Sequence, residues 1–588
     1  MSGSILAYMV LAKWTPDEVR GSATANVENT VLKLVPPFVI GLFILPITAG
    51  LIFTVLPAFG VLSPDVASTS LFQAWHKLCE WPGLGSSLRA TFVSGFGATF
   101  IAFALALAIT ATFINTRAFV AILRMQLPFL ALPHAALAVG LGFLIAPSGW
   151  IARLISPLFT GWTRPPDLLI TNDSLGLSLM VGLIIKELPF LLMMVFTALN
   201  QVKHRDLINM SRALGYKPAT AFWLSVFPQV YRQIRLPIFA VLAYSLSVVD
   251  MSLILGPGNP PTFAVQILKW FSDSDFSLRP LASAASVCQL FIILWAIGFW
   301  ILGEKLIKLV SLKWSQSGVR NRFAASSKTL AWSGLGLSVF LASFSLLTLL
   351  IWTFAKRWRF PADLPTSWSL KTWMRSADFI WEPLAHAICF AFFSALLALL
   401  MALLCLEHEQ RRDKRISKAG LVVLYLPLLI PQISFLFGVK VLAARYGQDG
   451  LWWTLLWSHL IFVVPYMLLT LSEPFHAIDK RYIQIGYTLG RKPWAVFWHI
   501  KLPLILPSIL FASALGFAVS FTQYLPTLML GAGRFPTLTT EAVALAAGAD
   551  RRVLAVYAVL QAAIPLSLFL VALALGRRSG GRIIGDVE

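Results

Sequence analysis

The sequence predicts an all-α polytopic membrane protein of about twelve transmembrane helices in two related six-helix halves. Three observations predict it. Apolar runs of membrane length recur along the chain, the basic residues between those runs favour one side, and the second half repeats the first at a fixed spacing. The 588 residues are 58% hydrophobic and only 12% charged, with a mean hydropathy of +0.77. A soluble domain carries about twice that charge. Backbone in lipid must satisfy its own hydrogen bonds, so long apolar runs imply helices.

The apolar runs fall at 36–59, 90–114, 125–146, 176–199, 236–256 and 281–303, then at 330–354, 380–405, 420–443, 451–472, 505–530 and 551–576. The chain divides accordingly. A polar N-terminus covers 1–35, the first half 36–303, a basic linker 304–329, the second half 330–576 and a tail 577–588. The first 34 residues lack the short apolar core and small-residue cleavage site of a signal peptide, so the first run is expected to be retained as a helix.

Lysine and arginine set the orientation. With both termini on one side, that side holds 30 of the 47 basic residues and the other holds 15, with Lys186 and Lys440 inside runs. The richer side is expected to be cytoplasmic. It includes the long connections 200–235 and 473–504, whereas the basic connection 355–379 falls on the poorer side against the trend. Topology thus accounts for the net charge of +21 without nucleic acid. The four cysteines, Cys79, Cys288, Cys389 and Cys405, form neither a disulfide framework nor a CxxC pair.

Residues 212–262 align with 487–537 at a constant offset of 275 without a gap, and 16 of the 51 positions are identical. Hydrophobicity alone could supply the shared leucines. It would not align Gly215 with Gly490, Lys217-Pro218 with Lys492-Pro493, Phe222-Trp223 with Phe497-Trp498, and Pro228 with Pro503. The repeat is parallel, because each half has an even number of runs, and two such halves about one axis enclose a path.

Within the repeat, RALGYKPATAFWLSVFP (212–228) and YTLGRKPWAVFWHIKLP (487–503) each begin as a short helix. Gly215 or Gly490 permits a sharp turn that a Cβ would hinder. Lys-Pro then opens a second helix at its first turn. The predicted unit is a cationic, aromatic-rich helical hairpin on the cytoplasmic side, suited to a groove on a partner protein. An amphipathic linker resting on lipid headgroups is the alternative.

These residues resemble the EAA motif of ABC-importer permeases, EAA-x3-G-x9-I-x-LP. The second hairpin matches at Gly490, Ile500, Leu502 and Pro503, and the first at Gly215 and Pro228, with Ser225 and Phe227 in the other places. The acidic triplet is replaced by Asn209-Met210-Ser211 and Gln484-Ile485-Gly486. Two such loops in one chain resemble the fused permeases of the thiamine, iron(III) and polyamine branch. LPHAALAVGLGFLIAPSGWIARL (132–154) and KELPFLL (186–192) resemble its YnjC-type members.

The resemblance implies a MetI-like permease fold in the bacterial inner membrane, in contact with lipid. It also implies two copies of a separate ATPase on the hairpins and a periplasmic solute-binding protein at the outer face. ATP binding would open the halves outward, and hydrolysis would reset them. Arg212, Leu214, Gly215, Lys217 and Pro218, with Leu489, Gly490, Arg491, Lys492 and Pro493, are the implied coupling residues. The chain has no G-x-x-x-x-G-K-[ST] phosphate loop, so it is not expected to be an enzyme. No cofactor or metal is expected, since the eight histidines are scattered.

Ionisable and polar residues at membrane depth are costly and face the bundle interior or a cavity. Glu187, Asp250, Gln523 and Tyr524, together with His134 and Gln432 after the paired prolines Pro133 and Pro431, are the candidate path residues. Two readings stand for them: contact with a passing cation, or interhelical packing. Two other function classes compete. An ion-gradient transporter with two six-helix halves would carry G-x-x-x-D-R-x-G-R-R between its second and third spans, where this chain has NTRAFVAILR. A membrane-embedded enzyme would need clustered catalytic residues, which the sequence does not offer.

Overall fold

The structure, a computed structural model, describes residues 22–61, 71–156, 158–316, 324–413, 418–548 and 550–578. Residues 1–21 of the polar N-terminus, 317–323 of the linker and 579–588 of the tail lie outside the described residues.

The chain begins with α1 (Ser22–Ala58), α2 (Gln73–Glu80), α3 (Leu84–Phe113), α4 (Arg117–Leu130), α5 (His134–Ile145) and α6 (Trp150–Leu154). It continues with α7 (Leu177–Asn200), α8 (His204–Ala213), α9 (Pro218–Ala221), α10 (Phe227–Ser247), α11 (Asp250–Leu255), α12 (Phe263–Ser272) and α13 (Arg279–Gln316). The second half opens with α14 (Ala324–Phe354), a small antiparallel hairpin of β1 (Ala355–Arg357) and β2 (Ser367–Trp368), and α15 (Lys371–Arg411). Then follow α16 (Lys418–Leu429), α17 (Gln432–Arg445), α18 (Trp452–His476), α19 (Lys480–Thr488), α20 (Pro493–Val496) and α21 (Leu502–Leu504). The last elements are α22 (Leu506–Phe521), α23 (Leu525–Leu530), α24 (Leu538–Ala546) and α25 (Arg551–Arg578). It is an all-α polytopic membrane protein.

Among the described residues nine helices are long and apolar enough to cross a membrane, and two bent pairs raise the number to eleven. The expected run 236–256 is the twelfth. It is split between α10 and α11, and the first turns of α10 carry Arg232 and Arg235.

Four expected spans are broken helices. Pro133 separates α4 from α5, and Pro431 separates α16 from α17 with a bend of 88°. Each proline lacks the N–H that would continue the ladder and disfavours a helical residue before it. α10 stops at Val248, whose backbone is extended, and α11 opens anew with the acidic Asp250 in its first turn. α22 stops at Phe521, and α23 resumes at Leu525. The breaks before Asp250 and Leu525 keep the 275-residue spacing of the repeat.

The first helix of each half lies on the other half. α1 packs along α17, and α14 packs along α5 and α3. Small residues make both crossings close. A Cβ on Gly50 would overlap the Phe435 carbonyl and one on Gly438 the Gly50 carbonyl, while the Gly438 N–H donates to Thr54 Oγ1 at 3.1 Å. Gly140 approaches the Ser345 carbonyl, 2.7 Å from where its Cβ would stand.

Candidate functional site: paired helical hairpins and a polar break region

The two duplicated loops fold to one geometry. α8 and α19 each close on a left-handed glycine, Gly215 at φ 86° and Gly490 at φ 74°. The Gly215 N–H donates to the Arg212 carbonyl at 2.9 Å and the Tyr216 N–H to the Ser211 carbonyl at 3.1 Å. The second hairpin repeats this with Gly490 N–H to the Tyr487 carbonyl at 2.9 Å and Arg491 N–H to the Gly486 carbonyl at 3.1 Å. A residue with a Cβ is strained at such a φ, which explains glycine there. Lys217 and Lys492 then adopt extended backbone ahead of Pro218 and Pro493, which open α9 and α20.

A π-turn follows in both, over Phe222–Val226 and Phe497–Lys501. Pro228 and Pro503 supply the cause. Neither can donate to the carbonyl four residues back, so the ladder slips by one residue and the Phe227 and Leu502 N–H groups reach Phe222 and Phe497. The outer faces stay apolar and open: Met210 and Leu214 on the first hairpin, Tyr482, Ile485 and Leu489 on the second, are all exposed. Arg212, Lys217 and Pro218 are exposed as well, while Arg491, Lys492 and Pro493 are half-buried.

The inner faces differ. In the first hairpin Ser211 Oγ and Ser225 Oγ hydrogen-bond at 2.8 Å, and the residue after Ser225 is the buried Val226. In the second, Gly486 and Ile500 hold those places, and a Cβ on Gly486 would stand 3.0 Å from Ile500 Cδ1. Lys501, in the place of Val226, is 1% exposed and donates to Glu407 Oε2 of α15 at 2.7 Å. Arg411 donates to the other Glu407 oxygen at 2.7 Å and lies over the Trp494 ring at 4.8 Å. Lys480 adds an exposed pair with Asp413 at 2.7 Å, which holds that carboxyl below its usual range.

The expected path residues gather at the helix breaks. His134 opens α5 and its Nε2 stands 3.7 Å from Glu187 Oε1 of α7, with its ring 4.9 Å from Tyr244 of α10. Asp250, at the start of α11, interacts electrostatically with His134 and Lys186, and Tyr524 with Asp250. α5 packs on α11. Lys186 points elsewhere than its neighbour Glu187: its ammonium donates to the carbonyls of Phe129 at 3.4 Å, Leu130 at 3.0 Å and Leu132 at 2.5 Å. It caps the carbonyls freed where α4 breaks. Gln432 opens α17, which packs on α23, and Gln523 is buried just before that helix.

Sequence reasoning missed three buried groups. The predicted apolar runs leave Glu407 in the connection 406–419 and Lys501 in the connection 473–504. Their apolar neighbours, Leu406 before Glu407 and Leu502 after Lys501, are the signal that could have placed them inside. His459 of α18 was one of the scattered histidines. Its Nδ1 meets Ser520 Oγ at 2.8 Å and its Nε2 meets Thr527 Oγ1 at 3.0 Å, tying α22 to α23 across their break.

Residues 394–579 match the family described as binding-protein-dependent transport system inner membrane component. The chain is 32% identical over 517 residues to the inner membrane ABC transporter permease protein YnjC of Escherichia coli (strain K12), covering 87% of this chain and 91% of that protein. It is 30% identical over 145 residues to a spermidine/putrescine transport system permease protein PotC homolog of Mycoplasma pneumoniae, covering 25% of this chain and 50% of that protein. It is 27% identical over 183 residues to the thiamine transport system permease protein ThiP of Haemophilus influenzae, covering 30% of this chain and 33% of that protein.

Proposed function

This chain belongs to the family of binding-protein-dependent inner membrane permeases of ABC transporters, and on that premise we propose that it supplies both membrane halves of an importer. Residues 36–303 and 330–576 form the two halves, with both termini and both hairpins in the cytoplasm. Two copies of a separate ATPase dock on the hairpins through Arg212, Leu214, Gly215, Lys217 and Pro218 and through Leu489, Gly490, Arg491, Lys492 and Pro493. A periplasmic solute-binding protein delivers cargo to the opposite face.

The observation that carries this reading is the agreement of the two hairpins. Left-handed glycine, extended lysine, N1 proline and π-turn recur at the same offset of 275 residues. Resting on headgroups requires an amphipathic face, but it does not require two copies of one backbone. Two copies fit two identical partners. The exposed apolar faces give each partner a greasy contact, and the basic residues around the turn suit an acidic rim.

ATP binding draws the two ATPases together and moves the hairpins, and the halves open away from them. The helix breaks mark where the path runs, because interrupted backbone at membrane depth is tolerated where it lines a cavity or is buried in protein. Glu187, Asp250, His134 and Tyr524 line it beside Gln523 and Gln432. The two acids, Glu187 and Asp250, favour a cationic cargo.

Co-purification tests the reading. Tagged protein from native membranes should bring down an ATPase subunit, and transport should stop on ATP depletion with the ion gradient intact. Transport that persists on the gradient alone, with no ATPase recovered, would return the chain to the gradient-driven class.

A further inference from the structure

We propose that Glu407, Lys501 and Arg411 form a strut that carries the motion of the second hairpin into α15, a function the first hairpin does not need. The inference rests on the importer reading above.

The backbone leaving each hairpin gives the reason. In the first half the π-turn ends at Val226 and α10 starts at once with Phe227, so hairpin and membrane helix are continuous through 21 further residues. In the second half α21 lasts three residues, Ile505 leaves helical geometry at φ −104° and ψ 11°, and α22 starts anew at Leu506. The segments 493–504 and 506–521 meet at 79°. Pro503 and Pro507, four residues apart, remove successive donors there. A push on the second hairpin therefore bends at Ile505 before it travels along α22.

The buried pair bypasses that bend. Lys501 lies on the hairpin side of Ile505, and its ammonium is held by Glu407 near the end of α15 at 2.7 Å with both side chains out of solvent. Arg411, one turn further along α15, shares the same carboxylate and covers Trp494 of α20. Lys501 also lies over the Phe475 ring at 5.8 Å. Hairpin and α15 are thus joined through four side chains, Lys501 and Trp494 on the hairpin side and Glu407 and Arg411 on α15, all on the near side of the bend. Breaking a buried charge pair is costly, so the joint resists opening under load. These are positioning residues: they touch neither cargo nor nucleotide.

The test measures whether hairpin and α15 move together. Spin labels go at Thr488 and Arg412, both exposed, in the full chain with its four cysteines replaced and its ATPase bound. The distance between them is read without nucleotide and with ATP trapped. In the otherwise unmodified pair the distance should be single, narrow and the same in both states. Lys501→Met or Glu407→Gln should broaden it or make it state-dependent, while the ATPase still co-purifies and transport falls about tenfold, equivalent to ~1.4 kcal/mol of coupling. A distance that shifts with nucleotide before any substitution at the joint overturns the strut, and so does a variant that stays narrow and transports normally. The first of these needs no variant, so a poorly folding substitution leaves the proposal open to refutation. Absence of any bound ATPase in the starting complex would instead overturn the importer reading.

Discussion

The two hairpins share a backbone and differ in what lies beneath it. Under the first, a hydroxyl pair and an apolar side chain suffice: Ser211 with Ser225, then the buried Val226. Under the second, glycine against isoleucine brings the helices together, and a fully buried lysine sits on a carboxylate of α15. The first half places its ionic contact further along, where Tyr231 and Arg235 of α10 hold Glu304 of α13 at 2.6 and 3.0 Å, with Arg235 partly in solvent. Duplicated sequence has thus kept the hairpin backbone alike and let the supports diverge. On the proposed reading, a surface that faces a common ATPase is constrained twice, whereas the private interior of each half is not.

The largest break in this comparison should come from Lys501→Met. It leaves the buried Glu407 carboxylate with Arg411 as its remaining partner, so the loss is at or below the lower end of the ~3–5 kcal/mol of a fully orphaned buried charge. Thermal unfolding of purified protein should show a clear drop. Replacing the whole charged group by apolar residues, Glu407→Leu with Lys501→Met and Arg411→Met, should recover most of it, as the Val226 arrangement implies. No drop in the single variant would show the pair to be relaxed by water.

Gly486→Ser is expected to cost about 1–3 kcal/mol, because the new side chain overpacks against Val496 and Ile500. Adding Ile500→Ser recreates the pairing of the first hairpin, and melting should then return toward the parent value. Failure of the double variant would mean that the two supports are not interchangeable. Gly215→Ala and Gly490→Ala should each cost about 1–2 kcal/mol from left-handed backbone, and equally, since the two turns match. The bulkier Gly215→Glu and Gly490→Glu should abolish ATPase recovery while the purified bundle keeps its helical signal. Recovery unchanged in both would count against docking there.

The smallest effect belongs to Asp413→Asn. Its pair with Lys480 is exposed, and such pairs contribute little. Lysine holds the Asp413 carboxyl below its usual range, so whatever stability the pair gives is present at neutral pH and above the ordinary carboxylate value. It is lost only as the pH falls through the lowered folded value. Melting of parent and variant should therefore converge as the pH falls below the ordinary carboxylate value of about 3.9.

The membrane class, the positions of the spans and the hairpins were legible because each has a strong local signature: apolar length, or glycine, lysine and proline at fixed spacing. The breaks were half legible. Pro133 and Pro431 announce theirs, whereas the stop at Val248 carries no proline and no local signature marks it. The run 236–256 was read as one span since its apolar count is right, and only the fold shows it divided. The Glu407–Lys501 pair joins residues 94 apart in sequence, and no local pattern links them. Lys186 was legible as buried but not as a cap, because its acceptors are backbone carbonyls on another helix.

The glycine crossing between α1 and α17 has a consequence for biogenesis. Its hydrogen bond, from Gly438 to Thr54, spans 384 residues of sequence. During synthesis from the N-terminus α1 is made long before α17, its partner at this crossing, and α13, α15 and α16 are available to pack on it earlier. The other crossing, of α14 on α5, forms as soon as α14 emerges. The first half is therefore closed by a helix made after it, while its own opening helix waits to close the second. Assembly order is written into the connectivity. The crossing between α1 and α17 can form only when the chain has passed α17, so a ribosome stalled before residue 445 should leave that flank of α1 open to cross-linking by insertion factors.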